Sequence, residues 1–177
     1  MVLKRGTITL RAIEEEDMEF CRLMINSEYI ESNSIGRHFP VSKKGQLEWF
    51  ENSNSSNVIR FMIDNASGPI GMIIASDIDW INRNCEVAIK LGEMTRLEKN
   101  DTQVAADLFL EYMFDEINMQ ALYAYVLEKN ILSQKLLVNK GFAKDGLLRN
   151  KIYKKGKYEN VFIFSMTEKD YRENKHE

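Results

Sequence analysis

The sequence predicts an α/β domain of the α+β kind, with a central mixed, mostly antiparallel twisted sheet of about seven strands flanked by about four helices. Three observations carry this. Alternating apolar and polar residues recur at both ends and in the middle of the chain; the stretch from Thr102 to Ile117 is apolar nearly all round, as a helix pressed into a core must be; and a strand–helix–strand–helix order runs from Cys85 to Lys140. No linker, internal repeat or low-complexity tract divides the 177 residues, so a single domain over 1–177 is expected.

The first strand is Thr7-Ile8-Thr9-Leu10-Arg11, which alternates like a half-buried strand. Glu14-Glu15-Glu16-Asp17 then opens a helical segment carrying Met18, Cys21, Leu23, Met24 and Ile25; acidic residues suit the positive end of a helix dipole, so this run reads as a solvated helix start. From Ser27 to Pro40 the chain is irregular and polar, a loop of functional length, before Ser42 caps a short helix with Leu47, Trp49 and Phe50. Val58 to Asp64, Pro69 to Asp79 and Cys85 to Leu91 form an antiparallel meander joined by turn-rich segments. After a polar connector comes the apolar helix, then a strand from Ala121 to Leu127, a helix from Ile131 to Lys140 stopped by Gly141, and a hairpin from Gly146 to Met166 turning at Lys155-Gly156-Lys157.

Composition excludes several functions. The two cysteines, Cys21 and Cys85, form no C-x-x-C pair and read as reduced, buried thiols. His38 and His176, the two histidines, have no metal-ligand spacing, which argues against a metal site and against His-based nucleophilic catalysis. Proton transfer is left to carboxylates, tyrosines or water. A net charge of −3 gives no footprint for nucleic acid, and the cluster Lys151, Lys154, Lys155 and Lys157 reads as a solvated hairpin. No apolar run is long enough to span a bilayer, and the first residues lead straight into the first strand, so no membrane partner and a cytoplasmic location are expected.

Several motifs in chain order resemble a known family. Ile70-Gly71-Met72 and the run Asp77 to Ile89 are similar to the central strands of the GNAT N-acetyltransferases, and of their ribosomal-protein N-acetyltransferase-like (RimJ/RimL) branch in particular. Phe114 to Met119 with Leu122 to Val126, Asn130 to Phe142, and Asp145 to Arg149 with Gly156-Lys157-Tyr158 resemble the later motifs of that branch. The resemblance implies transfer of an acetyl group from acetyl-CoA to a primary amine by direct attack, in a cleft where the fourth and fifth strands of the family's sheet splay apart. It places the acetyl and pantetheine arm on the backbone at Val87, Ala88, Ile89 and Leu91, and the rest of CoA near Asn130 and Ser133. It makes Glu86 the general base, since an amine protonated at neutral pH must lose a proton before it attacks a thioester. The residues alone leave a second reading of Glu86, as a strand residue facing solvent or pairing with a lysine. Tyr125, beside Tyr123, is the candidate general acid for the departing thiolate, although aromatic strand residues are also common in cores.

One segment departs from the family pattern. Where the pyrophosphate loop carries Gln or Arg and two small residues, this chain has Leu97, Asn100 and Thr102, and Asp101 adds a negative charge at the helix start. Two readings follow. Either acetyl-CoA binds through Val87 to Leu91 with Lys99, Asn100 and Thr102 replacing part of the loop, or the domain is a binding and assembly module that does without acetyl-CoA. The acceptor would be covered by the segment from Glu28 to Phe39, where Glu28, Glu31 and His38, together with Trp80, are the substrate-binding candidates. The branch implies a small-molecule amine, with nucleotide-linked amino sugars a leading example, or a peptide N-terminus as acceptor, and a homodimer as a common assembly.

Overall fold

The computed structural model of the chain describes residues 1–36, 39–53, 55–92 and 100–175. Among them, eight strands form one sheet: β1 (Leu3–Arg5), β2 (Ile8–Arg11), β3 (Ile59–Asn65), β4 (Gly68–Asp79), β5 (Asn84–Leu91), β6 (Ala121–Leu127), β7 (Ala143–Lys154) and β8 (Lys157–Thr167). They lie in the order β1-β2-β3-β4-β5-β6-β8-β7. Six helices accompany them: α1 (Met18–Ile25), α2 (Glu28–Asn33), α3 (Lys43–Glu51), α4 (Asp101–Glu111), α5 (Ile131–Asn139) and α6 (Glu168–Asn174). The predicted class is correct, and the three additional elements are short ones.

Each addition has a local cause that periodicity does not register. β1 is three residues, mostly exposed, turned onto β2 at Gly6, whose φ of +59° suits glycine. Helix α2 lies inside the segment expected to be a loop; it is six residues long and is started by Ser27, whose hydroxyl accepts from the Ile30 N–H. Helix α6 begins at Thr167, whose capping box with Asp170 satisfies both ends of the first turn.

The sheet separates two apolar layers. Below it, α4 presses Ala105, Leu108 and Phe109 onto Phe61, Ile73, Ala75 and Val87. Above it, Met18, Cys21, Met24 and Ile30 from α1 and α2 pack on Met62 and Met72. Cys21 and Cys85 are both buried and free. Period-2 alternation in β5 feeds both layers: Cys85 and Val87 enter the lower core, so Glu86, Ala88 and Lys90 point upward.

Two charged groups read as solvated are buried. Asp17 does not face water; its carboxylate takes two hydrogen bonds from the Arg11 guanidinium at 2.7 and 2.8 Å, and Arg11 also pairs with Asp64 at 2.6 Å. This paired fork ties the start of α1 to β2 and β3. Lys154, at the end of β7, has a side chain with 0% exposure and donates its ammonium to the Glu31 backbone carbonyl, docking the closing hairpin onto α2.

Gly71 is needed for a different reason from Gly6. A Cβ there would lie 2.4 Å from the backbone carbonyl oxygen of Lys90, a group fixed in the β4–β5 ladder. Gly71→Ala is expected to destabilise the protein by about 1–3 kcal/mol, read as a lower urea midpoint without a change in slope.

Candidate active site

β5 and β6, the one parallel pair in the sheet, hold together over only three registers: Asn84 with Ala121, Cys85 with Leu122 and Glu86 with Tyr123. Beyond Glu86 they part. β5 remains paired to β4 as far as Leu91, and β6 to β8 as far as Leu127, so each strand keeps one satisfied edge and turns the other toward the gap. A bulge in β4 between Ser76 and Asp79, with Asp77 at φ +50°, lies beside the point of separation. Bulges increase local twist, which turns β5 away from its neighbour.

The gap opens into a cavity of about 560 Å³. Of the predicted site residues, Glu86, Val87, Ala88, Ile89 and Leu91 line it from β5 and Tyr125 from β6. Thr102 reaches it from the first turn of α4, and Asn130 and Ser133 from the start of α5. The first turn of α4 therefore presents its N–H groups to the lower end of the cavity, an arrangement suited to an anion. Asp101 does not line the cavity. Its side chain is buried and accepts from the Asn65 amide at 2.8 Å, anchoring α4 to the end of β3. Asn100 takes the left-handed conformation before α4, at φ +77°, and does not line the cavity.

Other predicted residues stand apart from the cavity. Glu31 is paired with Lys154 and Lys155, and Glu28 with Lys155, so the carboxylates of α2 meet the hairpin and do not line the cavity. Trp80 donates its indole N–H to the Ser56 carbonyl at 2.8 Å on the surface. His38, Leu97 and Lys99 lie outside the described residues. The upper wall is instead formed by Tyr29, Asn33 and Ser76, with Lys90 on the same strand face as Glu86. Lys90 was legible as a charge two alternations along from Glu86; Tyr29 and Asn33 required knowing that α2 exists.

Asn130 does more than line the wall. Its side-chain oxygen caps α5 by accepting from the Ser133 N–H at 3.1 Å, and its amide donates to the Asn33 carbonyl at 3.0 Å. The side chain expected to hold CoA thus joins the start of α5 to the end of α2.

Electrostatics single out Glu86. Burial raises its pKa above the ordinary carboxylate value, Asp77 raises it further, and Lys90 opposes the shift. Burial lowers the pKa of Lys90, Arg60 lowers it again, and Glu86 acts in the other direction. Cys85 is unsuited to nucleophilic catalysis, because burial pushes its thiol up to about 12. The arrangement thus provides a half-buried carboxylate, a backbone edge and a helix N-terminus, a set compatible with direct acyl transfer from an anionic carrier to an amine.

Residues 7–143 match the family model described as acetyltransferase (GNAT) domain. The chain belongs to the GNAT acetyltransferase family. It is 29% identical to a prophage-derived uncharacterised N-acetyltransferase, YokL, of Bacillus subtilis, over 94% of this chain and 93% of the relative. It is 26% identical to a spermidine N(1)-acetyltransferase of Vibrio cholerae, over 87% of this chain and 89% of that one. A crystal structure of spermidine N-acetyltransferase from Vibrio cholerae with CoA and spermine shares the fold, with a TM-score of 0.86 and 23% identity over 94% and 98% of the two chains. A dodecameric structure of the Vibrio cholerae enzyme gives 0.79, with 21% identity over 93% and 96%. This GNAT protein is an acetyl-CoA-dependent N-acetyltransferase, and the features around the cavity fit the co-substrate: a polar strand edge for the pantetheine amides and free helix N–H groups for phosphate.

Replacing Asn130 separates its two bonds. Asn130→Ala is expected to cost about 1–2 kcal/mol through loss of the cap. Asn130→Asp should recover most of that stability while still losing the bond to Asn33, a difference that paired urea melts would resolve.

Proposed function

We propose that the protein acetylates a small-molecule primary amine by direct transfer, with Glu86 as general base. The observation carrying this reading is the position of Glu86 at the last paired register before β5 and β6 separate, half-buried and facing the upper wall. The pantetheine arm runs along the edge of β5 from Val87 to Leu91, and the phosphates lie toward Thr102 at the start of α4, with Ser133 near the remainder of CoA. Asn130 acts by positioning the two walls.

The amine nitrogen attacks the thioester carbonyl carbon from the α2 side. A nitrogen–carbon bond forms, the carbon–sulfur bond breaks, the proton lost by nitrogen passes to Glu86 directly or through water, and the CoA thiolate takes a proton from Tyr125 or solvent. A carboxylate with a raised proton affinity suits this task, since it is closer to the working pH than an exposed one.

The relatives bear on both the acceptor class and the assembly. The named Vibrio cholerae relatives are spermidine N-acetyltransferases, which supports a small-molecule amine and speaks against the ribosomal-protein branch; the dodecameric form of the Vibrio protein also makes an assembly larger than a dimer the one to test first. Amino-sugar nucleotides remain the alternative among small amines. Initial rates of CoA release with spermidine, an amino-sugar nucleotide and a peptide with a free N-terminus rank these classes. The proposal fails if the peptide alone is turned over, or if calorimetry detects no acetyl-CoA binding at millimolar ligand.

Glu86→Gln should lower kcat by roughly 10²-fold with acetyl-CoA affinity unchanged; an unaltered rate and pH profile would remove Glu86 from the chemistry. In the parent protein the acid limb of kcat/KM should lie above the ordinary carboxylate range, and Asp77→Asn should move it to lower pH by removing the repulsion. The same shift has a stability sign. Because folding raises the proton affinity of Glu86, its contribution is favourable below the unfolded carboxylate pKa and is lost as pH rises through the folded one. Glu86→Gln should therefore melt higher than the parent at pH 7, with the two curves converging near pH ~4.

A further inference from the structure

Lys90 is a second charge on the catalytic face of β5. It stands opposite Met72, as Ala88 stands opposite Ile74, and both β4 residues pack with the α1–α3 layer. Directly opposed residues of an antiparallel pair share a face, so Lys90 points to the acceptor side of the cavity it lines, not toward α4. Arg60 occupies the neighbouring row on the same face, opposite Ile74. Its guanidinium is held 5.3 Å over the Trp49 ring and donates to the Ser53 carbonyl at 3.0 Å.

Neither cation has an ion-pair partner among the described residues, whereas Arg11, Asp17, Asp64, Lys140 and Lys154 do. The acidic residues of α2 cannot balance them, since Glu28 and Glu31 are committed to Lys154 and Lys155. Glu86 and Asp77 lie at the other end of the row. With a rise of about 3.3 Å per residue, Glu86 and Lys90 have Cα atoms roughly 13 Å apart. The acceptor channel is thus polarised along β5, negative where the strands part and positive toward Leu91. Burying an ammonium beside a guanidinium is unfavourable unless a counter-charge completes it. A polycation would meet repulsion there.

We infer that the acceptor carries an anionic oxygen group, phosphate or carboxylate, several bonds from its amine, and that Lys90 binds this group with Arg60 behind it. This rests on the proposed reading only in placing the amine at Glu86. Lys90 is a specificity residue: it contacts the far end of the acceptor and takes no part in proton transfer.

Matched acceptors test this: glucosamine, glucosamine 6-phosphate, 6-aminohexanoate as a carboxylate-bearing amine, and spermidine. Rates of CoA release are measured together with calorimetric binding of each acceptor in the presence of CoA. The parent protein should favour an anionic amine over glucosamine and spermidine by about tenfold or more in KM and Kd. Lys90→Met should weaken Kd for that acceptor by roughly 10–100-fold, leaving the Kd values of glucosamine and acetyl-CoA unchanged. Lys90→Arg should restore the preference, which excludes misfolding as the cause. Preference for phosphate or for carboxylate identifies the source of the charge, and either supports the inference. It is overturned if the parent shows no preference, if spermidine is handled best, if the preference survives in Lys90→Met, or if that variant loses acetyl-CoA. Lys90-dependent binding of an anionic amine without turnover would instead defeat the catalytic reading and leave this one standing; equal turnover of all amines would do the reverse.

Discussion

The parting of β5 and β6 is the constraint on which the rest of the molecule depends. A backbone edge removed from its partner strand carries N–H and C=O groups that must be satisfied by something else. Here the sheet interrupts its own ladder after three registers and places a cavity where the fourth would form. The flanking ladders, β4–β5 and β6–β8, continue past the break and keep both strands rigid. Separation is therefore a feature of a well-supported sheet, and the amides of an extended ligand can take the place of the missing strand.

Around that gap, charge is distributed by burial as much as by sequence. Acidic groups away from the gap, such as Asp17 and Glu31, are paired with Arg11 and with Lys154 and Lys155. Burial raises the proton affinity of Glu86, the nearby carboxylate of Asp77 adds to the rise, and only a distant lysine opposes it. A residue that stabilises the fold would be better paired. The same argument applies in mirror image to Lys90, and the two together give the channel its direction.

Much of this arrangement is legible in the chain. Alternation in Cys85 to Leu91 fixes which side chains point up, the apolar run of α4 fixes the layer beneath, and Gly141, with φ +87°, ends α5 where the pattern does. What escapes is short or depends on distant partners. α2 has too few residues to display a period and is nucleated by one serine. Asp101 reads as an open helix-start charge, and its burial against Asn65 is hidden because that partner is thirty-six residues away. Lys154 reads as solvated because nothing in a lysine-rich hairpin announces that one ammonium will find a backbone carbonyl on α2. In each case the identity of the residue is clear and its surroundings are not.

The amide of Asn130 has a mechanical consequence. Its oxygen and nitrogen are fixed to one rigid plane, one end holding α5 and the other holding the last carbonyl of α2. The two walls of the cleft consequently share a rivet: one planar amide fixes the separation between the start of α5 and the end of α2 without using the strands between them.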